Sequence, residues 1–434
     1  MKPIYSFFIL LLLFARPAAG QTSKEELFEA PEKTGGVYYA YPAQDIKPQT
    51  PAPEGYAPFY IAHFGRHGSR YLIEDSDYKQ ALNLFEEAMN SNALTPLGID
   101  VHKRLSEAWK EAEGRGGDLS PLGVRQQRGI AERMFRLYPD VFRGNIRLSA
   151  RSTTVARCIL SMDTFCERLK ELNPELHIAR DTSSRSASYL NYHTEAAVAF
   201  RSENGAWKKE YEIFENAHVQ PRRLVRSLFA DTAFTAAKIN PVSLMWALYW
   251  IASDMQNMET RLSFYDIFER QELFDLWQCK NYSLYVQYAN AAANGGIMME
   301  NAKPLLKNII ESANQIIEAK SYGASFRFGH DGNIIPLAML LHLQGCYGSV
   351  SESLEFYKAW SDFKVAPMAG NVQIIFFRKE NSEDILVKFL LNENEMLVPP
   401  VKSSNLPYYR WKDIAEYYSS LGITSSSTSL GLKL

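Results

Sequence analysis

Apolar residues change their spacing several times along the chain, and each change marks an element. The run "PFYIAHF" (Pro58 to Phe64) is almost continuously apolar and stops at Gly65, which predicts a buried strand. Two segments then open alike, "TPLG" at Thr95 and "SPLG" at Ser120. Each offers a hydroxyl to cap a helix and a proline for its first turn. Gly114, Gly116 and Gly117 separate these helices. "NIRLSA" (Asn145 to Ala150) predicts a second strand, after which Val155, Cys158, Ile159, Met162, Cys166 and Leu169 fall at helical spacing. The middle of the chain is helical and rich in aromatics. "NPVSLMWALYWIASDM" repeats the cap-plus-proline start at Asn240, and Lys303 to Lys320 is an amphipathic helix. "ASFRFGH" returns to strand and "NIIPLAMLLHLQG" to helix. "NVQIIFFRK" and "DILVKFLLNENEMLVPPV" are late strands, the latter a hairpin turning at Asn392-Glu393-Asn394.

Strand-helix units at both ends therefore enclose a helical middle. The expected fold class is α/β, a mixed, mainly parallel sheet flanked by helices, with a mostly helical inserted subdomain. The sheet domain takes residues 58–185 and 305–421, and the insertion takes 186–304, where substrate specificity is expected. Residues 21–57 form a proline-rich lead-in, extended and superficial over Pro42 to Pro58. Residues 422–434 form a flexible tail.

The first twenty residues change this picture. Lys2 supplies a positive start, Phe7 to Phe14 is an apolar run too short to span a bilayer, and Ala18-Ala19-Gly20 fits a cleavage site. Residues 1–20 read as a signal peptide, and the protein as exported, to a periplasm or outside, with an endoplasmic reticulum lumen as the alternative. No membrane association is expected after signal removal. The formal net charge of -2 excludes a generally basic nucleic-acid binder, so any anion site must be local. Cys158 and Cys166 sit about 12 Å apart along one helix, beyond disulfide reach, and read as small buried residues. Pairing of Cys279 with Cys346 is left open. Without CxxC or HExxH spacing, no metal or other cofactor is expected.

Three strand-to-helix turns carry functional groups, and in open α/β sheets sites form at the carboxyl ends of strands. The first is "FGRHGSRY", with Arg66, His67 and Arg70; the second has Arg151 and Arg157; the third has His330 and Asp331. Arginine forks bind phosphate and keep their charge, and a helix start adds N–H donors. Nearby guanidiniums keep His67 neutral and nucleophilic, so it could attack phosphorus. Asp331 could protonate the leaving alcohol, Gly68 would let the backbone pass close to the ligand, and Arg222 and Arg223 are candidates for outer phosphates, the alternative being a solvated helix face. His63, inside the apolar strand, reads as a satisfied core histidine.

"RHGSR" resembles the RHGxR signature of the histidine phosphatase superfamily, and His330-Asp331 resembles the HD pair of its acid phosphatase and phytase branch. "LSPLGVRQQ", "ARCILSMDTF", "FRFGHDGNIIPLAMLL" and "APMAGNVQIIFF" resemble further segments of that branch in order. The "RC" pair is most similar to multiple inositol polyphosphate phosphatases. Those enzymes usually carry His-Ala-Glu where this chain has His330-Asp331-Gly332. The resemblance implies a phosphohistidine at His67, phosphate held by Arg66, Arg70, Arg157 and His330, and proton donation by Asp331. It implies a phosphorylated small-molecule substrate, inositol polyphosphates such as phytate first, with sugar phosphates or broad acid phosphatase activity second. A catalytically silent phosphate-ligand binding protein is the reading from another class. A phosphoglycerate mutase-like transferase is disfavoured by the export signal and the HD pair.

Overall fold

The computed structural model describes residues 23–143, 146–202, 204–351 and 356–423. The expected signal peptide and almost all of the expected tail lie outside them, as does Asn145. Among the described residues eight strands build one sheet: β1 (Tyr56–Arg66), β2 (Arg147–Ser152), β3 (Ile178–Asp181), β4 (Gly323–Gly329), β5 (Asn371–Lys379), β6 (Ile385–Leu391), β7 (Asn394–Met396) and β8 (Tyr409–Arg410). Their order is β3-β2-β4-β1-β5-β6-β7, with β8 also paired to β6. The sheet is mixed. β3, β2, β4 and β1 run parallel, and β5 to β8 add an antiparallel half.

β1 is the central strand, which explains its nearly unbroken apolar run. Both faces are covered, so alternation is not required. Ala62 and Phe64 enter one core while Ile61 enters the other. Gly65 does not end the strand, contrary to its reading as a boundary. It pairs with Phe328 of β4 on one side and Asn371 of β5 on the other, and ladder bonds on both sides outweigh the entropic cost of glycine. The β6–β7 hairpin turns at Asn392 and Glu393, both at positive φ (50° and 64°), as tight hairpins with right-handed twist require.

One sheet face is covered by the helices Pro121–Leu137 and Ala156–Leu172, through Ile130, Met134, Met162 and Phe165. The other meets Lys303–Glu318 and Asp331–Leu340, and its core runs on without a break into the helical region through residues such as Leu248, Tyr249 and Leu276. Two helices from the expected sheet segment, Asp75–Asn90 and Pro96–Ala112, pack onto Pro241–Asp254 and Arg222–Leu228 of the helical region. Thr95, Ser120 and Asn240 cap their helices as expected from the sequence.

The lead-in is more structured than its composition implies. From Pro42 it is largely exposed, with a short 3-10 turn at Ala43–Asp45. Ahead of that, a helix (Ser23–Glu29) and a 3-10 segment (Pro31–Tyr38) bury Leu27, Val37, Tyr38, Tyr39 and Tyr41. These apolar and aromatic side chains hold the segment against the body of the protein. All four cysteines are buried and free. Among the described residues, no helix is long and apolar enough to cross a membrane.

Candidate active site

The parallel half gathers the three turns at its carboxyl end. β4 lies between β2 and β1, so the residues that follow these strands become neighbours. Arg66 closes β1 opposite Gly329, and the His67 amide donates to the Gly329 carbonyl at 3.0 Å. His330 precedes and Asp331 opens the helix after β4, while Arg157 is the second residue of the helix after β2. The rings of His67 and His330 stand edge to face with centroids 5.8 Å apart.

Backbone contacts fix the loop carrying His67. Its Nδ1–H donates to the Gly68 carbonyl at 2.9 Å, since a carbonyl can only accept. The lone pair therefore resides on Nε2. Gly68 is small for a reason the sequence did not reveal: a Cβ there would lie 2.5 Å from the carbonyl oxygen of Gly123, in the Pro121–Leu137 helix. The close approach is between two backbones. The Gly68 amide donates to Ser161 Oγ (3.1 Å), the Ser69 amide to Gln126 Oε1 (2.8 Å), and Gln127 Nε2 to the Arg66 carbonyl (3.0 Å). The small-residue segment before β5 closes the other side, where Ala369 N–H donates to the His67 carbonyl and Arg66 N–H to that of Gly370.

The arginines are buried but incompletely partnered. Arg66 is fully buried; its Nη1 donates to the carbonyls of Val37 and Ala366, the latter at 2.8 Å. Its Nη2 lies 3.1 Å from Asp331 Oδ2 but is not aligned for a hydrogen bond, and Nε and Nη2 have no hydrogen-bond partner in the protein. Arg70 donates to the Tyr71 carbonyl (2.7 Å) and the Tyr38 hydroxyl (3.0 Å) and lies over the Tyr38 ring, leaving Nε unpartnered. Arg157 leaves Nε unpartnered as well. Burial and the cations of Arg66, Arg70 and Arg157 hold the His67 pKa well below the ordinary value, so the imidazole is neutral. His330, sharing a 3.2 Å hydrogen bond with Thr153 Oγ1, is lowered to about 4, chiefly by burial and then by the arginines, against the pull of Asp331. Burial pushes the Asp331 carboxyl up, but Arg66, His330, the Gly332 amide and Arg70 together hold it at about 2. About a third of that side chain is exposed (32%), consistent with a group that faces the cleft.

The cleft beside these groups has a volume of about 350 Å³ and is lined by Tyr38, Arg70, Trp250, Lys280, Tyr288 and Asp331, among others. Trp250, Lys280 and Tyr288 come from the helical region. Tyr38, Gln126, Gln127 and Ser161 are site residues that single-residue reasoning missed. Only the two glutamines carried a pattern, within "LSPLGVRQQ". Three sequence candidates lie elsewhere. Arg151 turns to the sheet edge, bonding the Ala179 carbonyl (3.1 Å) with Nε 3.6 Å from Asp181. Arg222 and Arg223 line a separate depression with Glu269, Glu272 and Asp275, where Arg223 is held by Glu272 and the Ile267 carbonyl. His63 is a core residue stacked 5.3 Å from Phe165, but both ring nitrogens lack a protein partner, so it is not satisfied; burial and then Arg327 lower its pKa to about 3.

A family model described as "Histidine phosphatase superfamily (branch 2)" matches residues 65–392. Multiple inositol polyphosphate phosphatase 1 of Gallus gallus is 19% identical over 323 residues, covering 70% of this chain and 69% of that protein. The crystal structure of Bifidobacterium longum multiple inositol polyphosphate phosphatase in complex with phosphate superimposes with a TM-score of 0.74 at 18% identity, covering 90% of this chain and 98% of that one. Its complex with inositol hexasulfate gives 0.73 at 17% identity, covering 91% and 99%.

Proposed function

The chain belongs to the histidine phosphatase superfamily (branch 2), and from that premise we propose that it is an exported phosphomonoesterase acting on inositol polyphosphates through a phosphohistidine at His67. The observation that carries the reading is the set of unpartnered guanidinium nitrogens on Arg66, Arg70 and Arg157 around a neutral imidazole. Buried donors are almost always satisfied, so unpartnered donors on three arginines grouped around one imidazole support an anion site. The substrate class is supported by the named activities of the similar proteins. Export is supported by the pattern of residues 1–20.

The geometry supports a two-step reaction. The phosphate takes the free faces of Arg66, Arg70 and Arg157, with His330 beside it. Nε2 of His67 attacks phosphorus, the P–O ester bond breaks, and the departing alkoxide takes a proton from Asp331. Water then attacks phosphorus, giving its proton to Asp331, the P–N bond breaks, and inorganic phosphate leaves. The carboxyl pKa is held at about 2 in the free protein, so the group is ionised there and carries no proton to donate. A phosphate dianion draws the guanidiniums to itself and adds negative charge beside Asp331, both of which raise that pKa.

The test is phosphate release from phytate, glucose 1-phosphate and p-nitrophenyl phosphate, with acid-labile phosphohistidine trapped by rapid quench and mapped by mass spectrometry. The expected outcome is release from phytate with label on His67. Turnover with no label there would overturn the mechanism, and no turnover on any ester would favour a silent binding protein.

A further inference from the structure

A buried carboxylate that the mechanism does not use lies behind the phosphate cradle. Asp362 is fully buried at the start of the short Asp362–Val365 helix, just ahead of the small-residue segment. Its Oδ1 accepts Trp277 Nε1–H at 2.9 Å and the Phe363 amide at 2.8 Å, and its Oδ2 accepts the Val37 amide at 3.2 Å. Asn281 Oδ1 takes the Asp362 amide at 2.9 Å. Trp277 and Asn281 stand one turn apart on the Arg270–Tyr288 helix, so the helical region fixes both the side chain and the backbone of Asp362. Both carboxylate oxygens are satisfied, as a buried acceptor requires.

Asp362 is joined to both residues whose carbonyls seat Arg66. Its carboxylate holds the Val37 amide, and its own carbonyl accepts the Ala366 amide at 2.8 Å. Arg66 Nη1 in turn donates to the carbonyls of Val37 and Ala366. The 3-10 segment that carries Val37 is shaped to reach the carboxylate. Gly36 turns through a positive φ of 58°, and a Cβ there would overlap Asp362 Oδ2. A planar guanidinium held at Nη1 by two carbonyls has its rotation fixed, which sets where the unpartnered Nε and Nη2 can bond.

We infer that Asp362 is a positioning residue for the phosphatase reaction: it orients Arg66 by holding Val37 and Ala366, whose carbonyls lie beneath the guanidinium. Asp362 is not among the residues that line the cleft, and it acts only through Arg66. This rests on the phosphatase reading above and deepens it, because it brings the buried side of the helical region into the support of the catalytic centre.

The test uses Asp362→Asn in the full chain, whose amide turns an N–H toward groups that themselves donate. It is run at pH 7, above the value of about 6 to which burial raises the Asp362 carboxyl, and at a temperature where circular dichroism shows the variant folded. The kcat/KM on p-nitrophenyl phosphate and the inhibition constant of inorganic phosphate should each worsen about tenfold. In an Arg66→Met background the same substitution should change kcat/KM by less than about twofold, because the residue through which Asp362 acts is gone. A purely structural carboxylate would lower activity by the same factor in both backgrounds, and that result overturns the proposal. So does a folded Asp362→Asn within about twofold of the unsubstituted chain. Trp277→Phe is the second variant, used where Asp362→Asn does not fold; it removes one donor, keeps an apolar ring and should cost about threefold with Arg66 present and nothing without it. If the unsubstituted chain turns over no ester, the phosphatase reading fails by itself. Asp362 is then judged by calorimetric binding of inorganic phosphate, where equal affinity with and without the substitution, or binding in neither, overturns the proposal.

Discussion

Two charged clusters sit beside the same sheet and are completed in opposite ways. Beside the β6–β7 hairpin, Arg133 grips the buried Glu393 carboxylate with Nε (3.0 and 3.2 Å) and Nη2 (2.6 Å). Tyr41 donates to the same carboxylate at 2.8 Å, and Asn371 donates to the Tyr41 hydroxyl at 3.0 Å. At the carboxyl ends of β1, β2 and β4, three arginines face one carboxylate, and several of their nitrogens have no hydrogen-bond partner. The closed cluster neutralises its own charge. The open cluster keeps two positive charges in excess with its histidines neutral, which matches a phosphate dianion. Buried charge without compensation costs stability, so a cluster left open in a packed protein indicates a ligand.

The strongest break of this contrast is at the nucleophile. His67→Ala should lower phosphate release by about 10⁴-fold or more on every ester, with the thermal transition little changed, because only the open cluster loses its chemistry. Activity within about tenfold of the unsubstituted chain would remove His67 from the mechanism.

Asp331→Asn should cost about 10²- to 10⁴-fold, more on alkyl phosphates than on p-nitrophenyl phosphate, whose leaving group departs without a proton. The pH dependence has a definite sign. His67, with its lowered pKa, stays unprotonated into mild acid, and Asp331, raised from about 2 by bound phosphate, must keep its proton. Turnover therefore peaks at acidic pH and declines as pH rises through the raised carboxyl pKa. The Asn variant should lose that decline. A profile climbing steadily above neutrality would count against Asp331 as the acid.

The smallest effect compares the clusters directly. Arg133→Met leaves the Glu393 carboxylate buried without its cation and should cost about 2–3 kcal/mol in urea unfolding, with kcat within about twofold. Arg157→Met removes a cation from the open cluster and should leave stability unchanged or slightly raised while weakening inorganic phosphate binding. Equal stability costs in the two variants would erase the distinction.

The convergence of the open cluster was legible because its residues are close in sequence to strand ends. RHGSR begins at the last residue of β1, His330-Asp331 follows β4, and Arg157 lies just beyond β2, so local pattern and the rule for α/β sheets place them together. What escaped depends on contacts far apart in the chain. Tyr38 reaches Arg70 from 32 residues upstream, in a segment whose composition reads as linker. Lys280 and Tyr288 reach the cleft from a helix whose aromatic content reads as core. The arginines of "QPRRLVR" carry charge without placement, because nothing local tells which way a short helix faces. β1 running through Gly65 is the same lesson for the fold, since pairing on both edges overrides a local breaker.

The support beneath Arg66 also ties the candidate site to distant parts of the chain. Its Nη1 is held by carbonyls 29 residues earlier and 300 residues later, at Val37 and Ala366. A nascent chain that has not yet delivered Ala366 lacks one of the two anchors of the Arg66 guanidinium, and it lacks β5, the neighbour that completes the central strand. Contacts of such long range form late in folding. The geometry around Arg66 is thus a property of the assembled fold and of no single stretch of sequence, because it is complete only once Val37, Arg66 and Ala366 have been joined.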